Sequence, residues 1–312
     1  MSTCRTVAGL LLAITLGCGG NDHTGPSVQP PPPGLTGRIA YVHTELVTGY
    51  FEYTLHVLDL ATGKDRLIYP APARAQIWGV TWAPGGAQLV VQTAYLVPGA
   101  DAEYYLHRIF ADGSSDAIVF DGAGPELDPA YSPAGQLAYI GGFSDMPAFG
   151  IWIDGKPFFH CFCDSGPAWS ADGKSFTVVT WDTTGLGGAY PPRGLYRVTL
   201  ANTEVTPLLM AAGEPPDEEI LDNPAYSPDG QSLAYMKWGG PVEGQEIWVA
   251  GADGSGPHRL TSGHADDFPV WSPDSRWVAF YRDGARVGLI AREGGEVHTL
   301  VTARLGTIAW GP

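Results

Sequence analysis

The feature that most limits what this chain can fold into is a short phrase repeated along it. The copies are Trp82-Ala83-Pro84-Gly85-Gly86, Tyr131-Ser132-Pro133-Ala134-Gly135, Trp169-Ser170-Ala171-Asp172-Gly173, Tyr226-Ser227-Pro228-Asp229-Gly230 and Trp271-Ser272-Pro273-Asp274-Ser275. A sixth begins at Trp310-Gly311-Pro312. The aromatics at 82, 131, 169, 226, 271 and 310 stand about 46 residues apart on average, the period of a β-propeller blade. In each phrase the aromatic ends an inner strand and packs between neighbouring sheets. Proline presets φ for the turn, and Asp-Gly completes it.

The residues after each phrase fill in the blade. A second strand follows the turn, as in Leu89–Val91, Leu233–Met236 and Trp277–Phe280. A third comes later, as in Ile151–Ile153 and Ile247–Val249, and turns such as Asp154-Gly155 and Asp253-Gly254 lead into a fourth. The ends complement one another. Residues 37–70 hold a second, third and fourth strand without a first, and Thr307–Trp310 is a first strand with nothing after it. Joined, they make one blade, which removes the exposed edges of an open repeat. The expected fold is therefore all-β: a six-bladed propeller of four-stranded antiparallel blades over residues 37–312, closed by the C-terminal strand.

The phrase resembles the repeats of TolB-like propellers, in which Pro-x-Trp-Ser-Pro-Asp-Gly precedes an apolar strand. The likeness covers about residues 37–312 and is best at Pro224–Ala234 and Pro269–Phe280. It implies a propeller that contacts partner proteins without naming them. Residues 1–18 read as a secretory signal, with Arg5 before a ten-residue apolar run, Val7–Leu16, too short to span a bilayer. Its ending, Leu16-Gly17-Cys18, resembles a bacterial lipobox, which implies lipid on Cys18. Residues 19–36, with Pro30-Pro31-Pro32-Pro33, suit a semi-rigid tether. The expected address is the bacterial cell envelope, exported and held to a membrane only by that lipid. In that oxidising setting Cys161 and Cys163 are free thiols or a local disulfide; a metal site would want a second pair, which is absent.

Composition narrows the function. With 17 Lys and Arg against 33 Asp and Glu the formal charge is −16, which argues against nucleic acid. No Gly-x-Ser-x-Gly or His-Glu-x-x-His occurs, so no catalytic residue is assigned. The long connections lie on one face, round the channel mouth, and carry Tyr50, Phe51, Tyr53, Tyr95, Tyr104, Phe143, Trp181, Tyr190 and Trp238. Just before the inner strands stand Glu126, Asp128, Asp164, Asp222, Asp266 and Asp267, with Arg74 and Arg304 on one flank and His43 and His264 within reach. These residues are the candidate binding site. The leading expectation is a monomeric, non-enzymatic propeller that binds an envelope protein or peptide, with a basic segment or a divalent cation drawn to the acids. The alternative is a propeller that binds or cleaves carbohydrate, its aromatics stacked on sugar rings. No other cofactor is implied.

Overall fold

The computed structural model describes residues 25–312 except 48, 96–101, 115, 121–125, 144–145, 162, 181–192, 214–218 and 240–241. The signal region and Cys18 lie outside the described residues, as do Trp181 and Tyr190. Among the described residues there is no helix.

Six antiparallel sheets form the blades, each written here from the channel outward. Blade 1 is Leu305–Gly311, Arg38–Val47, Tyr50–Asp59 and Lys64–Pro70. Blade 2 is Ala75–Trp82, Gln88–Tyr95, Glu103–Phe110 and Asp116–Phe120. Blade 3 is Glu126–Tyr131, Leu137–Phe143, Met146–Ile153 and Lys156–His160. Blade 4 is Cys163–Trp169, Ser175–Thr180, Gly194–Thr199 and Val205–Met210. Blade 5 is Ile220–Tyr226, Ser232–Gly239, Val242–Gly251 and His258–Arg259. Blade 6 is Asp266–Trp271, Trp277–Arg282, Arg286–Ala291 and His298–Thr302. The closure expected from the repeat is present: Arg38 pairs with Gly311, Ile39 with Trp310 and Tyr41 with Ile308.

The repeated phrase acts as the inter-blade fastener. The indole N–H of Trp82 reaches across to the Ala309 carbonyl at 3.2 Å. Trp169 reaches Ala130 at 3.0 Å and Trp271 reaches Ala225 at 2.9 Å. Each ring leaves its own blade to satisfy its donor on the preceding one, so it supplies apolar burial and a hydrogen bond at once. In the turn after Tyr226, the Ser227 hydroxyl donates to Asp229 at 2.6 Å and accepts the Ser232 N–H at 2.9 Å. Gly230 takes the left-handed conformation at φ +70°.

Two parts of the architecture go beyond the sequence reading. Ser27–Val28, inside the stretch expected to be a tether, pairs with Thr302 and Val301 as a fifth strand on blade 6, and Leu35 is buried at 4% exposure. Three connections expected to be long loops are instead ribbons, the one in blade 3 paired out to Phe143 and Met146. The second and third strands of blade 1 stay paired out to Val47 and Tyr50, and those of blade 5 out to Gly239 and Val242.

Candidate functional site

Inner strands enter from the long-connection face and leave through the short turns. Near its entry every inner strand breaks register with its neighbour, a β-bulge that re-aims side chains toward the axis. The breaks fall at Trp78 in blade 2, Asp128-Pro129 in blade 3 and Gly166-Pro167 in blade 4. They recur at Asn223-Pro224 in blade 5, Phe268-Pro269 in blade 6 and Gly306-Thr307 in blade 1. Asp128, Asn223 and Phe268 hold positive φ there, at 48°, 49° and 50°. These positions form a waist. From it a cavity of about 590 Å³ runs toward the short-turn face, walled by inner-strand prolines and aromatics such as Pro129, Tyr131, Pro224 and Tyr226.

The waist is uneven round its circumference. Trp78 is 49% exposed, its indole N–H held by Gln76 at 2.8 Å and its ring against Tyr104 at 6.1 Å. In the next blade Asp128 donates its backbone N–H to Gln92 Oε1 at 2.9 Å. Burial, helped by the negative charge of Asp222, pushes the Asp128 carboxyl up to about 6, although the Gly166 N–H holds it down in part. Asp267 is also pushed up to about 6, by burial, with Asp222 and Asp266 adding repulsion. Asn223 Nδ2 at 2.8 Å and the Phe268 N–H at 2.7 Å both donate to it and oppose the shift. Burial raises Asp222 as well, against the N–H of Asn223 at 2.8 Å. Three carboxyls from three blades are thus pushed above their ordinary range, chiefly by burial, a grouping that structures concentrate at functional sites.

The other expected site residues separate from this group. Asp266 is fully buried and gripped by Arg282 through two contacts of 2.7 Å, a link between adjacent strands of blade 6. Glu126 is buried at 3% exposure in the inner strand of blade 3. His264 lies exposed beside Asp283 at 3.0 Å. Arg304 stacks on Phe51 at 4.5 Å, and Arg74 stands exposed at φ 71° on the turn into blade 2. Asp164, exposed, pairs with Arg193 at 2.8 Å. His43 is buried, its Nδ1 against the Arg304 carbonyl at 3.3 Å. Sequence reasoning missed Trp78, Gln92, Asn223 and Phe268; the signal was there in the Asp-Pro, Asn-Pro and Phe-Pro pairs preceding the aromatics, which mark the bulges. Among the described residues no group of three or more His, Cys, Asp or Glu is placed to hold a metal ion. Cys161 and Cys163 form a disulfide.

No family model and no curated protein matches the chain by sequence. Solved structures do match in shape. TolB from Acinetobacter baumannii superposes with a TM-score of 0.70 at 18% identity, over 90% of this chain and 68% of that one. A putative TolB from Agrobacterium tumefaciens gives 0.61 at 20% identity, over 89% of this chain and 100% of that one. A chain of a nidogen/laminin complex gives 0.63 at 10% identity, over 88% and 98%. Six blades, a ring closed by the last strand on the first, and these likenesses in shape show a six-bladed β-propeller with the fold of the TolB structures.

Proposed function

We propose that the chain is a non-enzymatic binding protein that takes a segment of a partner protein into its channel. A basic side chain of that segment would sit against Asp128 at the waist. The observation that carries this reading is the cavity of about 590 Å³, walled by prolines and aromatics and ending at Trp78, Asp128, Asn223 and Phe268. An apolar pocket with a few placed polar groups is the usual form of a binding site. Proline and aromatic walls suit an extended peptide. A carboxylate flanked by an exposed indole suits a cationic group, which gains from both charge and the ring face. The sequence reading expects the guest at the long-connection mouth; the cavity supports a seat on the other side of the same waist. The nidogen/laminin neighbour is a propeller-shaped chain solved in a protein complex, which accords with a partner of this class.

The same reading takes the chain to be exported and tethered in the cell envelope through Cys18. Mass spectrometry of the mature N-terminus is expected to show acylated Cys18, and Cys18→Ser to release soluble protein; an unmodified N-terminus elsewhere overturns the tether. For the channel, a photo-crosslinking amino acid at Ala171, which lines the cavity, is expected to capture one protein species from envelope extract. Capture should fall in Asp128→Lys and at high salt. Equal capture from the same probe at Asp112, on an outer turn, would remove the channel as the site.

A further inference from the structure

The disulfide between Cys161 and Cys163 has no part in the binding reading, yet it sits where it can act on the waist. Cys161 follows the outer strand of blade 3 and is fully buried in a cluster with Phe159, Trp169 and Phe176. Cys163, only partly buried, is the first residue of the inner strand of blade 4. The pairing that would hold this entry is irregular: Cys163 faces Thr180, then the register shifts before Ser165 and again before Ala168. Three residues beyond Cys163, Gly166 meets blade 3 so closely that an added Cβ would lie 2.4 Å from Asp128 Cβ and 2.6 Å from its carbonyl oxygen. The Gly166 N–H is also a hydrogen-bond donor to the Asp128 carboxyl.

A disulfide stabilises a fold chiefly by restricting the unfolded chain, and more so the longer the loop it closes. A loop with a single intervening residue is close to the lower limit of that effect. The bond therefore contributes little to global stability, and its consequence is local: it anchors the irregularly paired start of an inner strand to a buried sulfur.

We propose that Cys161–Cys163 is a redox latch on the channel waist, opened by a dithiol reductant. A reductant thiolate attacks the Cys163 sulfur, the bond between the two cysteines breaks, and Cys161 leaves as a thiolate that takes up a proton. The second thiol of the reductant then attacks the mixed disulfide and releases Cys163 as a thiol. The protein gains two electrons and two protons, and the dithiol becomes a disulfide. Once open, Cys163–Gly166 keeps its bulged pairing and the Asp164–Arg193 ion pair but loses its covalent tie, and the Gly166 donor aimed at Asp128 loses its fixed position. Cys161 stays packed in its cluster, which keeps the partner thiol near for reclosure.

The experiment is residue-resolved amide exchange on the folded protein before and after millimolar dithiothreitol, with thiols counted by alkylation and mass spectrometry. Reduction is expected to occur without unfolding. It should lower protection of the Gly166 amide at least tenfold while amides of blades 1, 2 and 6 stay within twofold. Cys161→Ser with Cys163→Ser should show the reduced pattern with or without reductant. Two results would overturn the latch: a disulfide that resists reduction until the protein is unfolded in urea, or full reduction with unchanged exchange at Gly166.

Discussion

The neighbouring acids Asp266 and Asp267 have opposite fates, decided by the alternation of a strand. Asp266 points into blade 6 and meets the Arg282 guanidinium with both oxygens. Asp267 meets Asn223 of the neighbouring blade and the Phe268 N–H of its own bulge. Removing one member of a buried pair leaves an uncompensated charge, so Asp266→Ala is expected to lower unfolding free energy by about 3–5 kcal/mol in urea titrations. His264→Ala breaks an exposed contact with Asp283 and is expected to stay within about 1 kcal/mol. The waist acids behave differently again. Asp128 and Asp267 carry folded-state values near 6 against an ordinary 3.8, so folding favours their protonated forms. Their stabilising contribution is full below about pH 4 and disappears as pH rises through 6. The turn acids Asp172, Asp229 and Asp274 lie below their ordinary value: the Lys174 and Ser170 donors hold Asp172 down, and serine and arginine donors outweigh burial at the other two. Their contribution is present above pH 4 and lost below it. The contribution of these groups is therefore expected to be greatest near pH 4 and to fall as pH rises through 6. Asp128→Asn, tolerated at φ 48°, should match wild type at pH 4.5 and exceed it by about 1–2 kcal/mol at pH 7.5, as read from urea midpoints.

At the scale of the element, the closing strand Leu305–Gly311 carries more than its own pairing. Trp310 donates its indole N–H to Thr36 at 3.2 Å. Arg38 reaches the Pro312 carbonyl at 2.9 Å and lies over Trp82 at 4.6 Å. Deleting residues 307–312 removes the large buried contact of Ile308, unpairs Arg38–Tyr41 and exposes the ring of Trp82. Core deletions of this size cost about 3–5 kcal/mol apiece, a large share of a total near 5–15 kcal/mol, so the truncated chain is expected to aggregate or melt far lower in calorimetry. Unchanged melting would mean that the ends do not share a blade. This closure was legible in the sequence because it is written in turn chemistry: Ser-Pro-Asp-Gly can only follow an inner strand, so a trailing aromatic with no turn after it had to pair elsewhere. The waist was not legible in the same way. Period-2 alternation assigns side chains to faces only where register is unbroken, and a bulge flips everything beyond it. Reading Asp128 and Asp222 as mouth acids, one level too high, and counting Asp266 with Asp267, follow from that. The Ser27–Val28 strand was illegible for a simpler reason. Two residues carry no periodicity, and their pairing is fixed by Val28 packing against the blade 6 cluster rather than by local pattern.

For the molecule as a whole, charge and shape act on the same guest. A net charge of −16 argues for long-range attraction of a cationic partner, whereas the apolar channel walls act only on contact. The two contributions separate by rate and by salt. Steering changes association rates and is screened as the Debye length falls from about 10 Å at 0.1 M to about 3 Å at 1 M salt; contacts in a desolvated cavity change dissociation rates and resist salt. A partner captured through the channel is therefore expected to show an association rate that falls at least tenfold between 0.1 and 1 M salt, with dissociation changing much less, in surface-based kinetics. Asp222→Lys with Asp267→Lys should reproduce the low association rate at 0.1 M salt, since both acids contact Asn223 at the waist. Trp78→Ala should leave association nearly intact and speed dissociation, because the indole acts only once the guest is seated. Asp112→Lys, on the turn between the outer strands of blade 2, is the control and should change neither rate by more than about twofold. If Asp112→Lys slows association as much as the paired reversal, the attraction is a property of overall charge and the waist adds nothing specific. If Trp78→Ala leaves dissociation unchanged, the guest stops short of the waist.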